Sequence, residues 1–218
     1  MICIVKRITP LIAITLLGGM CLADATLAQN APAMPREPKA HVEPKDLLLK
    51  DVPDGAKDRK ELLGELYERL SNSEDDESSK VVASAIEKLW LRSGSDTVDL
   101  LMSRVGKLMQ QEEFDVALAI LNSVVEIAPD YPEAWNRRAA VYFLKKDYGK
   151  SLKSLRNALA NDPSHYKAIQ GLGMLMQEIG EKKAALKAFR EALKVYPHLD
   201  GVRQTEEELA REIEGQGI

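Results

Sequence analysis

The 218-residue chain has little of what catalytic and metal sites are made from. Its two cysteines, Cys3 and Cys21, both fall near the start, so everything after Cys21 lacks a thiol nucleophile and a disulfide and must be stable through packing. Histidines number three, His41, His165 and His198, with none at metal-ligand spacing from another. Surface positions, in a tether or in turns, are expected for all three. No glycine-rich phosphate loop occurs, and no serine has the glycine context of a nucleophile elbow. The acidic run Ser73 to Ser79 lacks the spaced ligands and central glycine of a calcium loop. Its expected use is to start a helix, with Ser71 or Ser73 as cap and the carboxylates at the positive end of the dipole. No catalytic residue, metal or cofactor is therefore expected, and the chain does not read as an enzyme.

Long hydrophobic runs are also missing. The longest, Ile8 to Met20, follows Lys6 and Arg7 and is shorter than the roughly 20 residues that cross a bilayer as a helix. With small residues at Thr26 and Ala28, it reads as a secretory signal over residues 1–28, cleaved after Ala28. The stretch before Cys21 has the outline of a lipoprotein site, but Met20 stands where a small residue is needed. Export to the bacterial periplasm is expected, with no integral membrane span after cleavage. Removing two basic residues and one acidic residue takes the net charge from −4 to −5, which argues against nucleic acid as a partner.

Proline is unevenly spread. Residues 29–57 contain Pro32, Pro35, Pro38, Pro44 and Pro53 and few large apolar side chains, the composition of an extended linker. Within it only the stretch around Leu47, Leu48 and Leu49 is apolar enough to dock on a folded domain. After Lys57 no proline occurs until Pro129, and apolar residues recur at helical spacing, as in Leu101, Val105, Leu108 and then Ala117, Leu121, Val124. A helix pair over 58–71 and 74–92 is expected within the segment 58–97, its second helix lengthened by an insertion of about two turns.

Pro129, Pro163 and Pro197 are 34 residues apart and divide the chain into units 98–131, 132–165 and 166–199. The eighth place of each unit holds Val105, Ala139 and Gly173, and the twenty-fourth holds Leu121, Leu155 and Phe189. Small residues at one place and large ones at the other suit two antiparallel helices in close approach. The proline near each end stops the second helix. Beyond them, Val202, Leu209 and Ile213 form one apolar stripe on a Glu-rich segment, 200–218, as expected of a helix closing a stack. Charge differs between units. The second has seven basic residues, Arg137, Arg138, Lys145, Lys146, Lys150, Lys153 and Arg156, against three acidic ones. Such a band reads as a solvated outer face, or as a surface that orients an acidic partner or lies against anionic headgroups.

With Trp135, Ala139 and Tyr142 in the second unit, and Leu172, Gly173, Ala185, Phe189, Ala192 and Pro197 in the third, the pattern resembles the tetratricopeptide repeat. The first unit departs most, with Leu101 in the tryptophan column. The resemblance implies an all-α, right-handed solenoid of about three helix pairs, with a diverged N-terminal pair and a C-terminal capping helix. It also implies a non-catalytic scaffold that binds a protein or peptide in a concave groove. An accessory role beside an envelope- or cell-wall-modifying enzyme would use the same surface. By the same resemblance the groove is lined by Met102, Gly106, Met109, Asn136, Arg137, Ala140, Phe143, Gln170, Met174 and Gln177. Asn136 and Gln170 would bond a peptide backbone, and Arg137 would meet a carboxylate. The family's clamp for acidic C-termini needs Asn and Lys where this chain has Gly106 and Met102, so that specificity is not expected.

Overall fold

A computed structural model describes residues 56–215. The signal segment 1–28, nearly all of the linker 29–57 and His41 lie outside the described residues. Nine helices and no strand occur among the described residues: α1 Ala56–Ser71, α2 Asp76–Trp90, α3 Asp96–Gln110, α4 Phe114–Ile127, α5 Pro132–Leu144, α6 Tyr148–Asn161, α7 Tyr166–Glu178, α8 Lys182–Val195 and α9 Val202–Gly215. From α3 to α9 each helix packs on the next, so that α3/α4, α5/α6 and α7/α8 stack as a solenoid closed by α9. Val202 and Leu209 of α9 bury against Phe189 and Leu186 of α8, with Ile213 beside them.

The turn inside each pair is the same backbone device used three times. Glu112, Lys146 and Gly180 stand one repeat apart, and their φ angles are 59°, 62° and 85°. Just after them, the N–H groups of Glu113, Asp147 and Glu181 donate to the carbonyls of Leu108, Tyr142 and Met176 at 2.9, 2.9 and 2.8 Å. Those bonds satisfy orphan carbonyls at the helix end and need one left-handed residue. Only the third turn places glycine there, so the other two carry the steric cost of a Cβ.

Packing inside the pairs follows the small-to-large columns. In the third pair, a Cβ added to Gly173 would stand 2.5 Å from Cε1 of Phe189. Val105 with Leu121, and Ala139 with Leu155, are buried in the corresponding cores of the first two pairs.

The N-terminal pair does not follow the stack. Its second helix has 15 residues, close to the 14 of α4, α6 and α8, so the extra residues do not lengthen it as the sequence spacing suggests. Asp75, rather than Ser71 or Ser73, caps α2, its Oδ1 accepting from Ser78 N–H at 2.7 Å. That bond holds the exposed Asp75 carboxyl below its usual range. α1 packs on α8 at the far end of the solenoid, and Leu66, Leu70, Ile86 and Leu89 share a core with Tyr166 and Tyr196. Apolar residues that would stack on a preceding repeat therefore cover the turns between later repeats.

Trp90 makes this junction. Its indole stacks on the ring of His165, with centroids 3.8 Å apart and planes 5° from parallel. Its Nε1–H donates to Tyr67 Oη at 3.1 Å, and Tyr67 donates to Asp162 Oδ2 at 2.6 Å. Its carbonyl accepts from Tyr131 Oη at 2.5 Å. Burial first, and then the adjacent Asp162 carboxylate, push the Tyr67 hydroxyl well above its ordinary range, so it stays a donor.

His165 is thus not a surface turn residue. It is fully buried, because its ring is one face of the Trp90 stack. Nδ1 accepts from Ala168 N–H at 3.3 Å and caps α7, while Nε2 points toward Glu133 Oε2 at 3.3 Å. Nε2 meets the full geometry of a hydrogen bond with no group among the described residues, Glu133 Oε2 being its near neighbour. Glu133 also accepts from Arg137 Nε at 2.6 Å and from Asn136 Nδ2 at 3.0 Å. Burial opposes its ionisation, but His165 and Arg137 outweigh burial and bring the carboxyl down to about 2.

The tight contact at Gly173 and the buried carboxylate at Glu133 can each be tested through stability. Gly173→Ala gains about 1 kcal/mol of helix propensity and loses about 1–3 kcal/mol to overpacking against Phe189. Chemical denaturation should show net destabilisation that is reduced when Phe189→Leu is added. For Glu133 the folded-state carboxyl is depressed, so its contribution is present above the unfolded value near 4.5 and is lost as pH falls toward about 2. Stability should drop by about 3 kcal/mol across that window, and Glu133→Gln should cost a similar amount at neutral pH and flatten the acid dependence.

Candidate functional site

Between α5, α6 and α7 lies a cavity of about 350 Å³. Its floor is Ala139, Ser151, Leu155 and Gly171, and its walls include Asn136, Ala140, Phe143, Gln170 and Met174. The repeat period builds it, since Asn136 and Gln170 share one column, and Ala140 and Met174 another. A third column explains why the space opens here. Arg137 occupies it in α5, whereas α7 has Gly171, where an added Cβ would already meet Leu155 Cδ2 at 3.4 Å. Ser151 Oγ donates to the Ala139 carbonyl at 2.9 Å, so the one hydroxyl in the floor is satisfied and the floor is effectively apolar.

The groove residues implied by the resemblance separate into two sets. Asn136, Ala140, Phe143, Gln170 and Met174 converge on the cavity. Met102 is instead buried in the core of the first pair, and Met109 is half-buried against the same cluster. Gly106 lies beside Arg137, with an added Cβ 3.5 Å from its Nη1. Gln177 is exposed on α7 outside the cavity lining.

Arg137 is not free to meet a ligand carboxylate. It is held by Glu133 and donates from Nη1 to the Met102 carbonyl at 3.1 Å, tying α5 to α3. Asn136 spends Nδ2 on Glu133 and keeps its oxygen as an acceptor. Gln170 makes no hydrogen bond among the described residues and retains both functions.

Leu144, Lys167 and Gly171 also line the cavity, although sequence reasoning passed over them. The repeat register pointed to Gly171 through Arg137, but a glycine leaves no side chain to notice. Lys167 pairs with Glu87 of α2 at 2.8 Å, which puts a charged pair from the N-terminal helices at one side of the opening. Leu144 and Met174 are 54% and 46% exposed, so the rim is apolar and open to solvent.

The basic band of the second pair is largely spent internally. Arg138 donates to Asn122 Oδ1 at 2.8 Å and lies over the rings of Trp135 and Tyr142, at 5.4 and 5.2 Å from their centroids. Lys145 pairs with Asp115 at 2.8 Å and Lys150 with Asp147 at 2.7 Å. Lys146, Lys153 and Arg156 have no ion pair among the described residues and remain exposed. No group of three metal-ligating side chains occurs among the described residues. No described helix is long and apolar enough to cross a membrane.

Family models described as Tetratricopeptide repeat match residues 132–165 and 167–198. A TPR repeat-containing protein of Rhizobium etli is 32% identical over 138 residues, covering 63% of this chain and 68% of that protein. Among solved structures, the Sgt2 TPR domain of Aspergillus fumigatus superposes with a TM-score of 0.53 at 24% identity, over 56% of this chain and 83% of that one. The first TPR domain of Spaghetti (RPAP3), bound to the HSP90 peptide SRMEEVD, gives 0.51 at 19% identity, over 53% and 92%. These structural likenesses concern the fold. Domains of this kind generally mediate protein–protein interaction through the surfaces that stacked helix pairs create. The repeat matches, the relative and the stacked helix pairs agree: the chain belongs to the tetratricopeptide-repeat family.

Proposed function

We propose that this protein is an exported, non-catalytic scaffold of the bacterial envelope that holds an extended segment of a partner protein in the groove between α5 and α7. The cavity carries this reading: a preformed apolar floor is flanked by Gln170 and by the free oxygen of Asn136. An extended segment presents apolar side chains and unpaired backbone groups, and the site answers both. Met174 and Phe143 adapt to shape at the wall. The Lys167–Glu87 pair is exposed enough for a partner's carboxylate to replace Glu87.

The Spaghetti domain's bound peptide supports capture of a short segment as the mode of action. Gly106 and Met102 argue against the acidic C-terminal specificity, since one has no side chain and the other is buried. Export rests on Lys6, Arg7, the apolar run to Met20 and the small residues before Gln29. An accessory role beside an envelope- or cell-wall-modifying enzyme would occupy the same groove, and the recovered partner distinguishes the two.

Ala140→Trp, which fills the opening, and Met174→Glu, which charges its rim, alter exposed residues and should leave the fold intact. Each should weaken capture of partners from periplasmic extract by about tenfold or more, equivalent to about 1.4 kcal/mol. Lys187→Ser on the outside of α8 should have no effect. Unchanged capture by both groove variants would sink the proposal. Arg137→Glu is no probe of it, because it removes the buried counter-ion of Glu133. Mass spectrometry of protein from the envelope should find an N-terminus at Gln29, and a chain still starting at Met1 would contradict export with cleavage.

A further inference from the structure

The first helix pair ends the stack on a face that no described helix covers. In the second and third pairs the same face packs on the preceding pair. Its third place is buried Ala134 and Ala168, its tenth is buried Val141 and Leu175, and its twenty-third is buried Ser154 and Ala188. In the first pair these places hold Leu100, Lys107 and Ile120. Leu100 is 72% exposed, and Ile120 is half-buried. On α4, Val116, Ile120 and Ile127 recur at spacings that place them in one stripe, and Val116 and Ile127 are 44% and 63% exposed. Arg104 and Lys107 stand beside Leu100 on α3, exposed and without an ion pair among the described residues. The α1/α2 pair leaves this end open because Trp90, Leu66 and Ile86 carry it to Tyr166 and Tyr196.

We propose that this face is the docking site of the chain's own segment 46–52, just upstream of α1. Three observations select that occupant. The segment holds Leu47, Leu48, Leu49 and Val52, the one apolar cluster between residue 29 and α1. Asp46 and Asp51 accompany them, with Lys50, and give the segment a net negative charge opposite Arg104 and Lys107, while Asp96 at the start of the same stripe can meet Lys50. The chain also enters the fold beside the site: Arg59, in the first turn of α1, donates from Nη2 to the Ser93 carbonyl at 3.2 Å and lies against Gly94, just before α3. The stretch from Leu49 to Ala56 reaches about 20 Å when extended, whereas α3 from Asp96 to Lys107 is about 17 Å long.

The segment thus acts as the missing N-terminal cap of the solenoid. The test uses the chain from Gln29 onward, which contains no cysteine, so that Leu100→Cys supplies the only thiol. Leu100→Cys should react with a maleimide about tenfold more slowly than in the same chain bearing Leu47→Ser, Leu48→Ser and Leu49→Ser, the factor given by about 1.4 kcal/mol of docking. Leu144→Cys, exposed on α5 away from the face, should react equally in both chains and reports that the fold is intact. In a second chain, Leu48→Cys with Leu100→Cys should oxidise to an intrachain disulfide. Equal Leu100→Cys rates with and without the serines would overturn the proposal. So would protection that survives the serines, protection that grows with protein concentration, or a disulfide that forms only between chains; these assign the face to an outside partner or a second copy.

Discussion

The contact between the Trp90 indole and the His165 imidazole joins two parts of the chain that are distant in sequence, and the arrangement of the N-terminal helices depends on it. Each polar atom of Trp90 that faces the interface is used. The indole N–H reaches Tyr67, and the carbonyl at the end of α2 receives Tyr131. On the other side of the stack, His165 faces Glu133, which in turn holds Arg137 and Asn136. Burying a carboxylate this deeply is unfavourable unless cations and donors surround it. The stack and the ion cluster therefore support one another, since the aromatic cover excludes water from the charges and the charges orient the ring.

This junction sets the asymmetry of the solenoid. By binding across the turns before α7 and after α8, α1 and α2 brace the later repeats and bring Glu87 to Lys167 beside the cavity. They also leave the outer face of α3 and α4 without a neighbouring helix among the described residues. At the other end α9 closes the stack in the ordinary way, through Val202 and Leu209. The groove opens between the second and third pairs for a local reason: Arg137 turns inward to Glu133, and Gly171, one repeat later, contributes no side chain.

Much of the architecture was readable from residue spacing. A fixed repeat period with small residues at one place and large ones at another has few physical solutions besides stacked antiparallel helices. Of the ten groove residues that the resemblance implied, Asn136, Ala140, Phe143, Gln170 and Met174 line one cavity. The reading of Arg137 as a ligand contact failed because periodicity gives the face of a helix and not the partner of a charge. Its carboxylate lies one turn earlier in the same helix, yet it is the burial contributed by His165 and Trp90 that makes the pair persistent. His165 looked like a turn residue because it is one; the turn happens to be covered.

Local sequence therefore determined what depends on neighbours along the chain: helix formation, the repeated left-handed turn, the small-to-large columns and the family. Those features follow from helical spacing and from the repeat period, both of which can be counted along the chain. The fold-back of α1 and α2, the buried Glu133 cluster and the uncovered face of the first repeat depend on contacts between residues far apart in sequence. No periodicity encodes which of two apolar faces a helix pair will choose. Here the choice went to the surface that also satisfied the indole, three tyrosine hydroxyls and a buried histidine, because hydrogen bonding and aromatic packing discriminate between faces that hydrophobic burial alone would treat alike.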